Sequence, residues 1–181
     1  TKSEEERALV IHREAIVIDG LACPRSTGEA LGRMVRGGIS AANWTVVHPF
    51  HGLSQAVDGI ADWHLLLEEN RDKTSLVTAA KDILDMKTQN KVGTIFGFQD
   101  SKPLDDKIAN LGIFKMLGVK VIQLTYSDRN AIGDGVSEKT DNGLSRFGER
   151  VVQEMNKLGI LIDLSHCGRK TAMEAIELSR D

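Results

Sequence analysis

Three stretches of this chain repeat one pattern, and that pattern restricts the folds open to it. Val92–Phe98 (VGTIFGF), Val119–Tyr126 (VKVIQLTY) and Ile160–His166 (ILIDLSH) are short apolar runs that read as strands. The last two each follow a helical stretch ending in Leu-Gly, at Leu117-Gly118 and Leu158-Gly159. A glycine just past a helix can take the left-handed conformation that closes it. Before Gly159, Leu144, Phe147, Val151, Met155 and Leu158 share one helix face, a stripe that packs against a sheet. Strands alternating with helices imply a parallel sheet with crossover helices.

The earlier chain adds two strands. Ala15–Asp19 (AIVID) is a continuous apolar run and reads as fully buried, and Asn43–Val47 (NWTVV) runs into a turn-rich His48-Pro49-Phe50-His51-Gly52. Pro24 to Gly38, rich in Gly and Arg, reads as a loop. From Ser54 onward Ala56, Ile60, Trp63 and Leu67 follow helix spacing. Asn70 to Lys73 break the pattern, and Thr74 is expected to cap a second helix carrying Val77, Ala80, Leu84 and Lys87. Five strands are expected in all, near residues 15, 44, 93, 120 and 160. A full (β/α)8 barrel takes about 250 residues, so the pattern suits an open sheet or a barrel cut short. No linker or low-complexity segment divides the chain, and residues 1–181 are expected to form a single domain.

Composition excludes some functions. The net charge of -3, the absence of a Lys/Arg run and an aromatic content of 4% argue against nucleic-acid binding. Cys23 and Cys167 are the only cysteines. Two thiols so far apart are neither a disulfide framework nor a zinc ribbon, and they suit a reducing compartment. No segment approaches the roughly 18–20 apolar residues of a membrane span, and Thr1 to Arg7 is charged. No transmembrane segment is expected, and the compartment is left open with a soluble, cytoplasmic protein as the default.

Active residues of parallel α/β folds sit at the carboxyl ends of strands. That rule selects Asp19-Gly20-Leu21-Ala22-Cys23, His48 with His51, Gln99-Asp100, Tyr126-Ser127-Asp128 and Ser165-His166-Cys167. His166 is the strongest candidate, since an imidazole closing an apolar strand can reach a metal or move a proton. A lone strand-end histidine is nonetheless structural more often than not. His48 and His51 could chelate a metal, although two loop histidines are more often solvated. Cys23 is a candidate ligand or nucleophile against the commoner inert thiol. Asp128 and Asp134 lie in a polar loop, where most carboxylates are merely solvated. These residues specify a polar face, and they leave the reaction open.

The string NGLSRFGERVVQEMNKLGILIDLSH from Asn142, with LGVKVIQLTYSDRNAIGDG, GTIFGFQDSKPLDDKIANLGIF and Ile18-Asp19-Gly20 upstream, resembles the membrane dipeptidase (renal dipeptidase-like, peptidase M19) family. The likeness is strong after residue 90 and weak between 24 and 53. It implies a (β/α)8 TIM-barrel type of fold with about the first five strand–helix units present. The chain would then be the N-terminal part of a metal-dependent hydrolase barrel, with a second histidine ligand and a late-strand aspartate beyond Asp181. It also implies two zinc ions bridged by a carboxylate and a hydroxide that attacks a peptide carbonyl.

Carried over by position, His166 is a zinc ligand, while three other places depart from the family. Leu21 stands for a histidine, Cys23 for an aspartate and Gln99 for the bridging glutamate. Leucine cannot coordinate, a thiolate is a softer ligand, and a neutral amide bridges two cations poorly. Tyr126 stands where the dipeptidases often have a substrate-contacting histidine, and its hydroxyl could donate to an oxyanion. The resemblance thus implies a zinc-dependent hydrolase of dipeptides or similar small amides, with a divergent site holding one ion or none. The alternative is an inactive dipeptidase-like barrel that binds a small molecule or partner. The partner expected is a peptide-like substrate. Open strand edges would need a second copy or the missing C-terminal barrel half to cover them.

Overall fold

The computed structural model describes residues 3–23 and 27–179. The elements run α1 (Glu4–Glu14), β1 (Ile18–Ala22), α2 (Thr27–Arg36), β2 (Ala41–Thr45), α3 (Leu53–Glu69), β3 (Thr74–Leu76) and α4 (Ala80–Thr88). They continue through β4 (Val92–Phe98), a 3-10 turn (Lys102–Leu104), α5 (Ala109–Met116), β5 (Val119–Gln123), α6 (Arg146–Leu158), β6 (Leu161–Asp163) and α7 (Arg169–Leu178). Pairs β1–β2, β3–β4, β4–β5 and β5–β6 are parallel, so this is the α/β alternation of the (β/α)8 type. No helix among the described residues is long and apolar enough to cross a membrane.

Two compact units divide the chain, one of Thr1–Trp44 with His64–Ile95 and one of Thr45–Trp63 with Phe96–Asp181. In the first, Ile18 lies opposite Ala41 and Thr74 opposite Val92. Its core includes Leu31, Ala41, Ala42, Trp44 and Val92, none of them exposed. Gly93 is glycine for want of space, because a Cβ there would stand 2.6 Å from Val77 Cγ2. α1 starts with a reciprocal cap, Ser3 N–H to Glu6 Oε2 at 2.9 Å and Glu6 N–H to Ser3 Oγ at 3.2 Å.

In the second unit Phe96 faces Val119, Phe98 faces Ile122 and Gln123 faces Asp163. Phe98 and Phe114 meet edge to face with centroids 4.9 Å apart. α6 begins at Ser145, whose Oγ accepts from Gly148 N–H at 2.9 Å, and closes at Gly159, whose φ of 61° is left-handed. Its inward face, Val151, Val152 and Met155, is fully buried. Each such side chain contributes about 1.5–3 kcal/mol. Leu144 lies before the helix, and Phe147 and Leu158 are only half-buried.

Several local expectations are corrected. Residues 27–36 form α2 where a loop is expected. Ala30, Leu31, Met34 and Val35 make its apolar side, and Glu29 pairs with Arg33 one turn on. Pro24 to Ser26 lie outside the described residues. Thr74 opens β3 and caps no helix. Its hydroxyl donates to Val92 O at 2.6 Å and meets Thr94 Oγ1 at 2.7 Å, which raises the strands described to six. Asp82 caps α4 instead, accepting from Thr78 N–H at 2.7 Å and Ala79 N–H at 2.9 Å, and those amides hold its carboxyl below the ordinary value. β1 begins at Ile18, three residues later than expected. Among the described residues it pairs with β2 alone, and Ile16 and Ile18 are exposed, so it is not a fully buried strand.

Candidate functional site

The second unit gathers a run of rings beyond the carboxyl ends of its strands. β5 ends at Gln123, and Tyr126 follows three residues later. Tyr126 stacks on His166 with centroids 4.4 Å apart and planes 23° from parallel. The Phe50 ring meets Tyr126 edge-on at 5.7 Å. His48 lies 5.3 Å from both Phe50 and His51, and the His51 N–H bond to His48 O at 2.9 Å closes their turn. Ser127 Oγ lies 3.3 Å from His166 Nδ1. Neither His166 Nε2 nor the Tyr126 hydroxyl makes a hydrogen bond among the described residues, so both stay available to a ligand. Phe50 is 57% exposed, which makes it the apolar wall of this face.

His166 does not close its strand. β6 stops at Asp163, and the chain then turns through Leu164 and Ser165 to reach His166 at φ 61°. A non-glycine residue in that region is uncommon and persists only where its surroundings fix it. The fixing groups are Val136 N–H, which donates to His166 O at 2.8 Å, and a bridge between Gly135 and Cys167.

The loop from Ser127 to Ser145 is therefore part of the site's frame. Its anchor is Asp134, whose side chain is 3% exposed and ion-paired with Arg129. Asp134 also accepts from Asn142 N–H at 2.6 Å and Asn142 Nδ2 at 3.0 Å. The Arg129 guanidinium, opposed by burial and aided by the Asn142 donors, holds the Asp134 carboxyl below its ordinary value. Asp100, buried at the end of β4, joins the strands by accepting from Tyr126 N–H at 2.9 Å and Lys102 N–H at 2.8 Å. Cys167 is buried, and desolvation pushes its thiol above the ordinary range.

Of the residues selected from sequence, Tyr126, Ser127, His48, His51 and His166 come together in the second unit. Gln99 also belongs there, half-buried and directly after β4. Leu21 and Cys23 belong to the first unit, where Leu21 is 39% exposed and Cys23 is exposed. Asp134 and Asp100 serve as structural anchors. Phe50 had no role assigned from sequence; its one signal was an apolar residue between two loop histidines. No group of three or more His, Cys, Asp or Glu among the described residues could hold a metal ion. Gln99 in the second unit is a neutral amide, which bridges two cations poorly.

Parallel strand–helix units with polar residues beyond the strand ends are the arrangement of the (β/α)8 class of folds. The sequence model of the membrane dipeptidase family, peptidase family M19, matches residues 8–181, and the chain belongs to that family. It is similar to an amidohydrolase of Pseudomonas aeruginosa at 39% identity and TM-score 0.91, over 96% of this chain and 53% of that one. A metallo peptidase of Rhodobacter sphaeroides, bound to a phosphinate mimic of the dipeptide L-Ala-D-Ala, shares the fold at 19% identity and TM-score 0.75, over 91% of this chain and 62% of that one. Dipeptidase 3 of Rattus norvegicus is 32% identical over 58% of this chain and 22% of its own length. The chain thus spans about half the length of the amidohydrolase and less of that dipeptidase.

Proposed function

We propose that the protein hydrolyses dipeptides or similar small amides as a zinc-dependent member of its family with a divergent metal site. On this proposal residues 1–181 are the N-terminal part of a larger metal-dependent hydrolase barrel. The observation that carries it is the Tyr126–His166 stack, which leaves a phenol hydroxyl and an imidazole nitrogen available on the active face of a dipeptidase-family fold. Tyr126 donates a hydrogen bond to the carbonyl oxygen as charge develops on it. Phe50 packs against an apolar substrate side chain. His166 Nε2 is the first metal donor and Gln99, also in the second unit, is a weaker one, and a single ion is the most they serve. The dipeptide mimic held by the Rhodobacter sphaeroides relative supports the substrate class.

The test is elemental analysis with a dipeptide hydrolysis screen on the full chain, His166→Ala and Tyr126→Phe. About one zinc per chain that is lost in His166→Ala is expected. So is hydrolysis that falls on the order of 10²-fold in Tyr126→Phe, as for loss of an oxyanion donor. Folded protein with neither metal nor hydrolysis would overturn the proposal. It would favour the second reading, a barrel that binds a small molecule or partner without cleaving it. That reading is favoured by Leu21 and Gln99, which stand where the family resemblance implies a histidine and a glutamate.

A further inference from the structure

The first unit contains a cavity of about 330 Å³ that lies apart from the strand carboxyl ends. Its walls come from the last turns of α1, α2 and α4 and from the residues just before β2 and β4. Arg13, Arg36, Lys87, Lys91 and His12 line it, and no described acidic residue does. Four full cations thus share one concavity in a chain whose net charge is -3.

The bland explanation is that cations complement carbonyls at helix carboxyl ends, as Lys87 and His12 do, while Lys91 meets a turn carbonyl just past α3. Lys87 Nζ donates to Ala15 O, Lys91 Nζ to Arg71 O at 2.9 Å, and His12 Nε2 to Gly37 O at 2.8 Å. That explanation is too small in magnitude. A helix end carries about half a negative charge, so the three ends lining the cavity offset roughly one and a half of four positive charges. The Arg13 and Arg36 guanidiniums make no hydrogen bond or ion pair among the described residues. They remain as planar forks, which suit phosphate oxygens. Lys87 and Lys91 are already fixed by their carbonyl bonds, so little side-chain freedom is lost when an anion enters. The volume lies at the small end of ligand pockets.

We propose that this cavity is a binding site for a small phosphate-bearing anion, gripped by Arg13 and Arg36 in the field of Lys87 and Lys91. The site stands independently of the proposed hydrolase activity.

The test titrates the full chain with inorganic pyrophosphate and follows thermal unfolding, with sodium chloride at matched ionic strength as the reference. A saturable rise of about 5–10 °C is expected at a hundredfold excess over Kd. The rise should be lost in Arg13→Gln/Arg36→Gln and only reduced in Arg13→Lys/Arg36→Lys, which keeps the charge and loses the fork. A rise that sodium chloride reproduces would overturn the proposal. So would an Arg13→Gln/Arg36→Gln protein that melts lower without ligand yet keeps the full pyrophosphate response, the signature of helix-end complementation alone. Calorimetric titration of the wild-type chain decides the matter without variants, since no binding tighter than about 1 mM would also overturn it.

Discussion

Replacing Asp134 by asparagine asks whether the loop behind His166 is held by charge or by shape. The substitution keeps the volume and removes the charge. It also turns one oxygen into an NH2 donor that faces donors, namely Arg129 Nη2 at 3.0 Å, Asn142 N at 2.6 Å and Asn142 Nδ2 at 3.0 Å. Breaking a fully buried ion pair costs about 3–5 kcal/mol. Here the Asp134 side chain is 3% exposed but Arg129 is 55% exposed and recovers water, so about 2–3 kcal/mol is expected. In a chain of this length that corresponds to a fall in Tm of roughly 5–10 °C.

The pH dependence identifies the cause. The Asp134 carboxyl titrates lower in the folded chain than its ordinary value of 3.8, so its stabilisation is complete above that value. It is lost as pH falls through the folded pKa. The gap between wild type and Asp134→Asn should therefore be constant from neutral pH down to about 5 and should close below about 4. Urea unfolding followed by circular dichroism at neutral and acid pH measures both quantities. A gap under about 0.5 kcal/mol at neutral pH, the size of an ordinary surface change, would refute the charge argument. A gap undiminished in acid would refute it equally.

Three other outcomes follow from the same structure. Gly135→Ala places a Cβ 2.2 Å from Ser127 O, a backbone atom that cannot step aside. The variant should lose more stability than Asp134→Asn in the same urea assay and weaken Tyr126–His166 stacking, seen as a change in tyrosine fluorescence. Met155→Ala empties a fully buried position on α6 and should cost about 2–5 kcal/mol in chemical unfolding. Cys167, buried and with its thiol pushed up by desolvation, should react with iodoacetamide only as fast as the chain opens, whereas rapid labelling of the native protein at neutral pH would contradict its burial.

What the sequence made legible was whatever short-range patterning controls. The Leu-Gly helix ends, the Val151 and Met155 positions of the α6 face and the strand at Val92–Phe98 all appear where local physics puts them. Elements that depend on distant partners were not legible. Thr74 has a side chain suited to a helix cap, yet its hydroxyl is taken by Val92 and Thr94, and a three-residue strand is too short to show a period. α2 was hidden because Gly and Arg suggest a loop, while only burial of Ala30 and Leu31 reveals which side faces inward. The strand-end rule found Tyr126 and His166. It could not show that β6 stops at Asp163 or that His166 takes a left-handed turn, which is held from another loop by Val136 N–H on His166 O and by Gly135 bridging to Cys167.

That pairing also bears on what His166 can do. A metal-binding histidine is usually backed by a carboxylate or carbonyl on its second nitrogen, which fixes the ring and strengthens it as a donor. Here the backing group is the Ser127 hydroxyl at 3.3 Å, and the ring is oriented largely by the Tyr126 face. Aromatic stacking of this kind contributes about 0.5–1.5 kcal/mol, enough to hold a ring angle but without the electrostatic support of an anion. Ser127→Asp should therefore tighten any zinc held at His166, and Tyr126→Ala should loosen it by freeing the ring. If metal affinity followed the opposite order, His166 would be acting through Tyr126 as part of an aromatic binding wall, and the binding-only reading would gain at the expense of the hydrolase.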